Sequence, residues 1–240
     1  IPSDRAKRAE SEERQRVFAR AVGLLFDLDL RAEALEVAER AKARASLDLF
    51  ASAGAREKAA VAAELGRAAG ESVPSPEAAP MPQMALLIGA VRARAVTAVE
   101  YFVGDGRLFT WVIGADGSLN CVARPLAPGA LETYVRAARG EDGRREALVS
   151  LHRLLIEPIA EWLPIAPSRT VLVVPHDRLF LLSFAALIDA GGRHLVESHA
   201  LAYTPSLAML AWTGRERSRS GAASTSLVVG NPGPAGIDPG

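Results

Sequence analysis

Cysteine and histidine are the residues of this sequence whose chemistry could support nucleophilic catalysis. The sequence has one cysteine, Cys121, and four histidines, His152, His176, His194 and His199. A cysteine thiolate activated by a histidine base is a common nucleophile in hydrolases. Cys121 lies in the middle of a predicted strand, and no glycine turn or helix start is present there to lower its pKa. We therefore interpret Cys121 as a strand residue that packs against its neighbours.

The spacing of the histidines does not predict a metal site. His194 and His199 are five residues apart on a predicted strand, which would place them on opposite faces of a sheet. His152 lies on a predicted helix and is interpreted as a residue at the boundary of the core. His176 and Asp177 directly follow a buried strand, where sites in α/β proteins gather, so this pair is the best local candidate. No nucleophile-elbow motif with a serine or a cysteine accompanies this pair.

Three glycines near the end of the sequence, Gly230, Gly233 and Gly236, could suggest a phosphate cradle. Their spacing is not that of the G-x-G-x-x-G motif, and Pro232 and Pro234 remove backbone donors. A plain loop is the better interpretation. The residues alone therefore assign no catalytic, cofactor-binding or metal-binding residue and imply no cofactor.

Composition excludes several classes of protein. The 28 basic and 28 acidic residues cancel, so no overall charge attracts nucleic acid or an anionic membrane. The single cysteine excludes an internal disulfide and favours a reducing, cytoplasmic location. The longest uncharged stretch in a structured region, residues 198–214, is shorter than the roughly 20 apolar residues of a membrane span.

The first part of the chain is predicted to be helical. Residues 11–53 read as two antiparallel helices joined at residues 27–29, and a third, alanine-rich helix is predicted near 55–69. Apolar residues recur at helical spacing on one face of each of the first two helices: Val17, Ala21, Leu24 and Leu28, then Ala34, Ala38, Ala41, Ala45 and Leu49. Alanine stripes of this kind are typical of stacked helical hairpins. Residues 1–70 are thus predicted to form helical hairpins, and the proline-rich residues 71–83 a linker.

Residues 84–240 are predicted to form an α/β domain. Three short strands, over 95–103, 107–114 and 118–124, are separated by Gly-Asp-Gly and Ala-Asp-Gly turns and form an antiparallel meander. Helices are predicted at about 128–139 and 144–163, where Pro158 kinks or restarts the second. A buried strand over 170–174, a short helix over 184–189, a strand over 194–203, a helix over 205–213 and a last buried strand over 226–231 follow.

Six segments, in their order and spacing, resemble one known family, the CHAT domain. They are residues 38–44 (AERAKAR), 100–103 (EYFV), 154–159 (LLIEPI), 175–187 (PHDRLFLLSFAAL), 194–207 (HLVESHALAYTPSL) and 227–232 (LVVGNP). CHAT domains are caspase- and separase-like and usually follow tetratricopeptide-type helical repeats. The Asp-Gly that usually follows the strand proline is His176-Asp177 here.

The resemblance implies cysteine endopeptidase chemistry, in which a histidine takes the proton of a cysteine thiol. It also implies that the family's histidine and cysteine lie beyond Gly240, because Cys121 and the four histidines match neither position. The chain is thus expected to be the end of a repeat array and the amino-terminal part of a CHAT domain. Its expected partners are a protein substrate or regulator bound by the repeats, and the remaining half of the domain. The alternative is an inactive interaction scaffold with a protease-like fold.

Overall fold

The computed structural model describes residues 4–52, 83–140, 142–166 and 169–211. The predicted third helix near 55–69, most of the predicted linker, the last predicted strand over 226–231 and the glycine loop after it lie outside these residues. The proposed boundaries at residues 70 and 83 stay predictions. Within the described ranges, no helix has the length and apolarity to cross a membrane.

Two helices begin the chain, as predicted. Helix α1 spans Asp4–Asp27 and helix α2 spans Arg31–Ser52, and the turn between them includes Asp29 at φ +64°. Helix α1 begins before residue 11, where the apolar pattern first becomes visible. The α1–α2 hairpin is therefore a pair of adjacent helices of similar length.

The predicted apolar face of α1 is not the face that packs against the rest of the protein. Val17, Leu24 and Leu28 are 60%, 62% and 59% exposed, whereas Val22 and Phe26 are buried. Helix α1 has apolar residues on two sides, and the side with the aromatic ring of Phe26 packs inward. Val17 and Leu24 on the other side of the helix, together with Leu28 in the turn after it, are called the α1 stripe below.

Five strands form one mixed sheet in the order β3-β2-β1-β4-β5. Their bounds are Thr97–Gly104 for β1, Arg107–Ile113 for β2, Leu119–Pro125 for β3, Thr170–Val174 for β4 and Ala200–Tyr203 for β5. Strands β1, β2 and β3 pair antiparallel, which confirms the meander, whereas β4 pairs parallel with both β1 and β5. The sheet and its helices confirm the α/β class.

The remaining helices connect these strands. Helix α3, Met84–Arg92, precedes β1. It was not predicted, because the segment is short, contains Gly89 and has apolar residues on all sides rather than on one face. Helices α4, Ala130–Arg139, and α5, Arg144–Leu155, follow the meander. After α5 a separate 3-10 helix, Glu157–Trp162, begins with Pro158 in its first turn, where a proline is well tolerated.

The prediction for the segment after β4 needs one correction. Two 3-10 helices, Asp177–Leu181 and Phe184–Ala186, are followed by helix α6, Leu195–Ser198, and residues 207–211 are helical. The predicted strand over 194–203 was wrong for its first half. Glu197 Oε1 accepts the backbone N–H of His194 at 2.7 Å, and this contact starts a helical turn where an extended strand was expected.

The sheet separates two hydrophobic cores. Helices α4 and α5 and the 3-10 segments cover one face, into which Tyr101 points, while α1, α2 and α3 cover the other, into which Phe102 points. This alternation follows from the two-residue period of strand β1. Tyr101 donates a hydrogen bond from its hydroxyl to the carbonyl of Leu155 at 2.9 Å, so the end of α5 is tied to the centre of the sheet.

Candidate functional site

An open cleft of about 800 Å³ lies where the α1–α2 hairpin meets the carboxyl ends of β1, β4 and β5. These three strands are parallel, so the residues that follow them meet at one edge of the sheet. Ligand sites of open α/β sheets form outside this edge. Residues of the α1–α2 hairpin and residues at the strand ends line the cleft, among them Arg16, Lys42, Phe102, Asp105, His176 and Phe180.

His176 connects the ends of two strands at the cleft. Its Nδ1 accepts the backbone N–H of Val103 at 3.0 Å, and its ring stacks on Phe102 with centroids 4.5 Å apart. Burial, with a smaller contribution from the charge of Lys42, lowers the pKa of His176 to about 3. The imidazole is therefore neutral at physiological pH with its hydrogen on Nε2, which makes it a hydrogen-bond donor and excludes Nδ1 as a base.

Asp177 has a left-handed backbone, with φ +52°. Glycine adopts this conformation without strain, and aspartate tolerates it better than most residues. This geometry is compatible with the glycine that the resemblance implies at this position, and it turns the chain from His176 into the 3-10 helix over Asp177–Leu181. The His176-Asp177 pair is therefore a structural turn at the rim of the cleft.

Three buried charged residues lie beneath the cleft, and sequence reasoning did not single them out as a site. Lys42 Nζ is 2.6 Å from Glu100 Oε1, and the two side chains are 4% and 0% exposed. Glu39 Oε2 accepts the backbone N–H of Ala208 at 2.7 Å. We call Glu39, Lys42 and Glu100 the carboxyl–lysine cluster. The signal in the sequence was a glutamate in the middle of an otherwise apolar strand.

The oxygens of this cluster are poorly satisfied. Glu39 Oε1 and both oxygens of Glu100 are buried without a hydrogen-bond partner of good geometry, although Glu100 Oε1 is in the ion pair. Burial raises the pKa of Glu100 well above its usual value, and the negative charge of Glu39 raises it further, while Lys42 opposes both effects. Charge on Glu100 is thus costly in this place.

Cys121 does not belong to the cleft. It lies on β3 opposite Trp111, and its Sγ accepts a hydrogen bond from Nη1 of Arg31 at 3.4 Å. Burial raises the pKa of the thiol, and the Arg31 guanidinium only partly offsets this effect. Cys121 is a half-buried strand residue, which confirms its predicted position. The structure does not bring Cys121 and His176 together.

We expect Cys121 to react slowly with a disulfide reagent in the native protein and quickly after denaturation. A thiol with a raised pKa has little thiolate at neutral pH, and packing limits access to it. Stopped-flow labelling across pH measures both effects. Arg31→Met should slow native labelling further, because it removes the cation that favours the thiolate. Rapid native labelling with a midpoint well below the ordinary thiol value of about 8.5 would contradict this expectation.

The other three histidines lie away from the cleft. His152 is buried on α5 with Nδ1 3.9 Å from Glu157 Oε1, and burial lowers its pKa while Glu157 opposes the effect. His194 bonds through Nδ1 to the carbonyl of Ala186 at 3.1 Å, and His199 follows α6. The expectation that His194 and His199 occupy one strand was wrong. Among the residues that the structure describes, no three His, Cys, Asp or Glu side chains are placed to hold a metal ion.

Comparison with known proteins adds one finding. No curated protein matches this chain. Among protein-family models, the CHAT domain matches, and the match begins in α5 and includes β4, α6 and β5. It therefore contains two of the three strand ends that form the cleft, whereas α1, α2 and the meander precede it. Residues 145–236 of this chain are similar to the CHAT domain.

Proposed function

We propose that the described part of this chain is the supporting, non-catalytic portion of a caspase-like CHAT cysteine endopeptidase. The observation that carries the proposal is the family match over residues 145–236, which includes β4 and β5 at the cleft. Peptidases of this chemistry need a thiol and a basic imidazole in contact. The parallel strand ends supply a suitable edge for such a pair, because that edge is open to solvent.

The side chains at this edge support a non-catalytic role. Among the described residues, the cleft is lined by one histidine, His176, and by no cysteine. The Nδ1 of His176 is occupied by the Val103 N–H, and its low pKa keeps it from taking a proton at neutral pH. We therefore infer that the histidine and cysteine of the reaction are supplied by residues encoded after Gly240.

The α1–α2 hairpin is proposed to belong to a tetratricopeptide-type segment that binds a protein. The exposed α1 stripe supports this role, since two large apolar side chains of α1 and Leu28 directly after the helix are more than half exposed. The partner would be a protein substrate or a regulatory protein in the cytoplasm. The remaining half of the CHAT domain is proposed as a second partner, beside β5 at the edge of the described sheet.

The α1 stripe also favours a second candidate function, an interaction scaffold with a protease-like fold and no peptidase activity. The two functions share the fold and the binding hairpin and differ only in the residues after Gly240. A histidine and a cysteine at the ends of later strands favour the peptidase, and their replacement in the full gene favours the scaffold.

Peptidase assays on two proteins test the proposal. We expect residues 1–240 to leave casein and fluorogenic peptides with basic residues uncut, because the described residues contain no thiol–imidazole contact. A protein extended by the residues encoded after Gly240 should cleave them, and Cys121→Ser in that protein should retain the activity. Cleavage by residues 1–240 that Cys121→Ser abolishes would contradict the proposal, and an inactive extended protein would favour the scaffold.

A further inference from the structure

The end of β1 is open on the side that faces β4. Strand β1 pairs with β2 as far as Gly104, whereas its pairing with β4 stops at Glu100. After β4 the chain leaves the sheet and turns into a 3-10 helix. Among the described residues, the stretch 101–104 of β1 therefore has a strand neighbour on one side only, and three of its residues line the cleft.

The backbone of Val103 directs its hydrogen-bonding groups to this open side. Its N–H is donated to Nδ1 of His176 and not to Leu108, which is its partner on β2. In an antiparallel pair, a residue either exchanges both of its backbone bonds with its partner or directs both away from it. The carbonyl of Val103 therefore also points away from β2, and it is an acceptor on the wall of the cleft.

His176 places a donor beside this acceptor. Because Nδ1 accepts the Val103 N–H, the ring hydrogen is on Nε2. Nε2 has no hydrogen-bond partner among the described residues and is not enclosed, so it is open to the cleft that His176 lines. Stacking on Phe102 fixes the orientation of the ring. One donor and one acceptor, both held in place by the fold, thus lie next to each other in the cleft.

The charges along the cleft favour a ligand without net charge. Two cations and two carboxylates line it, namely Arg16, Lys42, Asp105 and Asp177, and the histidine is neutral at physiological pH. Most of the other lining residues are apolar, and Phe180 among them is 53% exposed. A nucleic acid would need a surplus of cations, which the described residues of the cleft do not supply. An extended polypeptide offers neutral backbone donors and acceptors together with apolar side chains.

A second cavity of about 420 Å³ adjoins the first. The two cavities share Val103, Gly104 and Asp177, and the second one continues from there to the start of α4. Together they form a groove that crosses the end of β1. Its length favours an extended chain over a compact small molecule.

We propose that this groove binds an extended polypeptide segment of a partner protein through the backbone of that segment. A carbonyl of the segment accepts a hydrogen bond from Nε2 of His176, and an N–H of the segment donates to the carbonyl of Val103. An apolar side chain of the segment packs against Phe180. This site goes beyond the proposed function, because it is separate from the α1 stripe and serves the peptidase and the scaffold alike.

Selection from a displayed library of short random peptides provides the probe. Residues 1–240 are the target, and the most enriched peptide is synthesised with acetyl and amide ends, so that its termini carry no charge. We expect its affinity to change little from low to high ionic strength, because the contacts are made by neutral groups. Recovery of no binding peptide, or an affinity that falls steeply with salt, would overturn the proposal.

NMR of the backbone amides and imidazole nitrogens locates the bound peptide on residues 1–240. We expect chemical-shift changes at Val103 and Gly104 and at Nε2–H of His176, whose hydrogen becomes bonded. Changes confined to Val17 and Leu24 of the α1 stripe would contradict this site and leave the proposed function intact. The measurement needs no peptidase activity, so an inactive extended protein does not affect it.

His176→Asn tests the donor. The side-chain oxygen of asparagine lies close to the position of Nδ1, so it can accept the Val103 N–H while the Nε2 donor is lost. We expect the affinity for the peptide to fall about tenfold, as for the loss of one hydrogen bond. His194→Asn, the same change at an exposed histidine outside the cleft, should leave the affinity unchanged. Wild-type affinity in His176→Asn would show that Nε2 does not bind the peptide and that the proposal is wrong.

N-methylated peptides test the backbone contact without any change to the protein. Adjacent N–H groups of an extended chain point to opposite sides. Methylation of the N–H that donates to Val103 should therefore abolish binding, whereas methylation of the next residue should preserve most of it. Equal affinity of all the methylated peptides would refute recognition through the backbone, even if His176→Asn failed to fold.

Discussion

Trp111→Ala is expected to lower the free energy of unfolding by about 3–5 kcal/mol. The side chain is fully buried, and its ring packs against Phe109 at 6.0 Å and Phe26 at 6.1 Å between centroids. Its indole N–H also binds the carbonyl of Arg31, at the start of α2. One substitution therefore removes contacts of the sheet with both helices of the hairpin. Urea unfolding followed by circular dichroism measures the loss without relying on tryptophan fluorescence.

Trp162→Ala is the matched control. Trp162 packs against the opposite core and is only partly buried, so the same change there should cost clearly less. Trp111→Phe should fall between wild type and Trp111→Ala, since it keeps a ring and loses the hydrogen bond. A loss below about 1 kcal/mol for Trp111→Ala would show that the hairpin contributes little to global stability.

Gly104→Ala is expected to cost about 1–3 kcal/mol, because there is no room for a methyl group at the end of β1. A Cβ there would lie 2.7 Å from the Cβ and 3.3 Å from the Cα of Ala19. Helix α1 would have to move away from the strand, which widens the cleft. Denaturation measures the cost, and a wild-type free energy of unfolding in this variant would contradict the close approach.

Two further variants separate this clash from a general effect of glycine replacement. Gly89→Ala should stabilise the protein by up to about 1 kcal/mol, since Gly89 lies within α3 and a Cβ there meets no atom within 4 Å. Ala19→Gly removes the nearest atom of the clash. In the double variant with Gly104→Ala it should recover part of the loss, although Ala19→Gly alone weakens α1.

Local signals in the sequence predicted much of the sheet. Asp105 and Gly106 have φ values of +53° and +66°, the left-handed geometry that an Asp-Gly turn supplies between two strands. The continuous run of β-branched residues and leucine over 170–174 predicted β4, because a strand covered on both faces needs no polar side. Such features depend on residues adjacent in sequence, so they can be recognised without the fold.

The candidate site could be predicted only in part. The position of His176 after a buried strand indicated the correct edge of the sheet, since strand ends are a local signal. The contact between Lys42 and Glu100 depends on how α2 packs across the sheet, which no spacing shows. The same holds for α1, where two apolar sides compete and the aromatic contacts of Phe26 decide which one is buried.

The mixed pairing of β1 has a consequence for the order of folding. On one side Gly104 pairs with Arg107, across a turn of two residues, whereas on the other side Thr97 pairs with Val171 far along the chain. Closing a long loop loses chain entropy before the stabilising contacts form, so parallel pairing of distant strands is slow. The meander is therefore expected to form early as a template. The pairing of β4 with β1 is then expected to be the slow step that sets the folding rate.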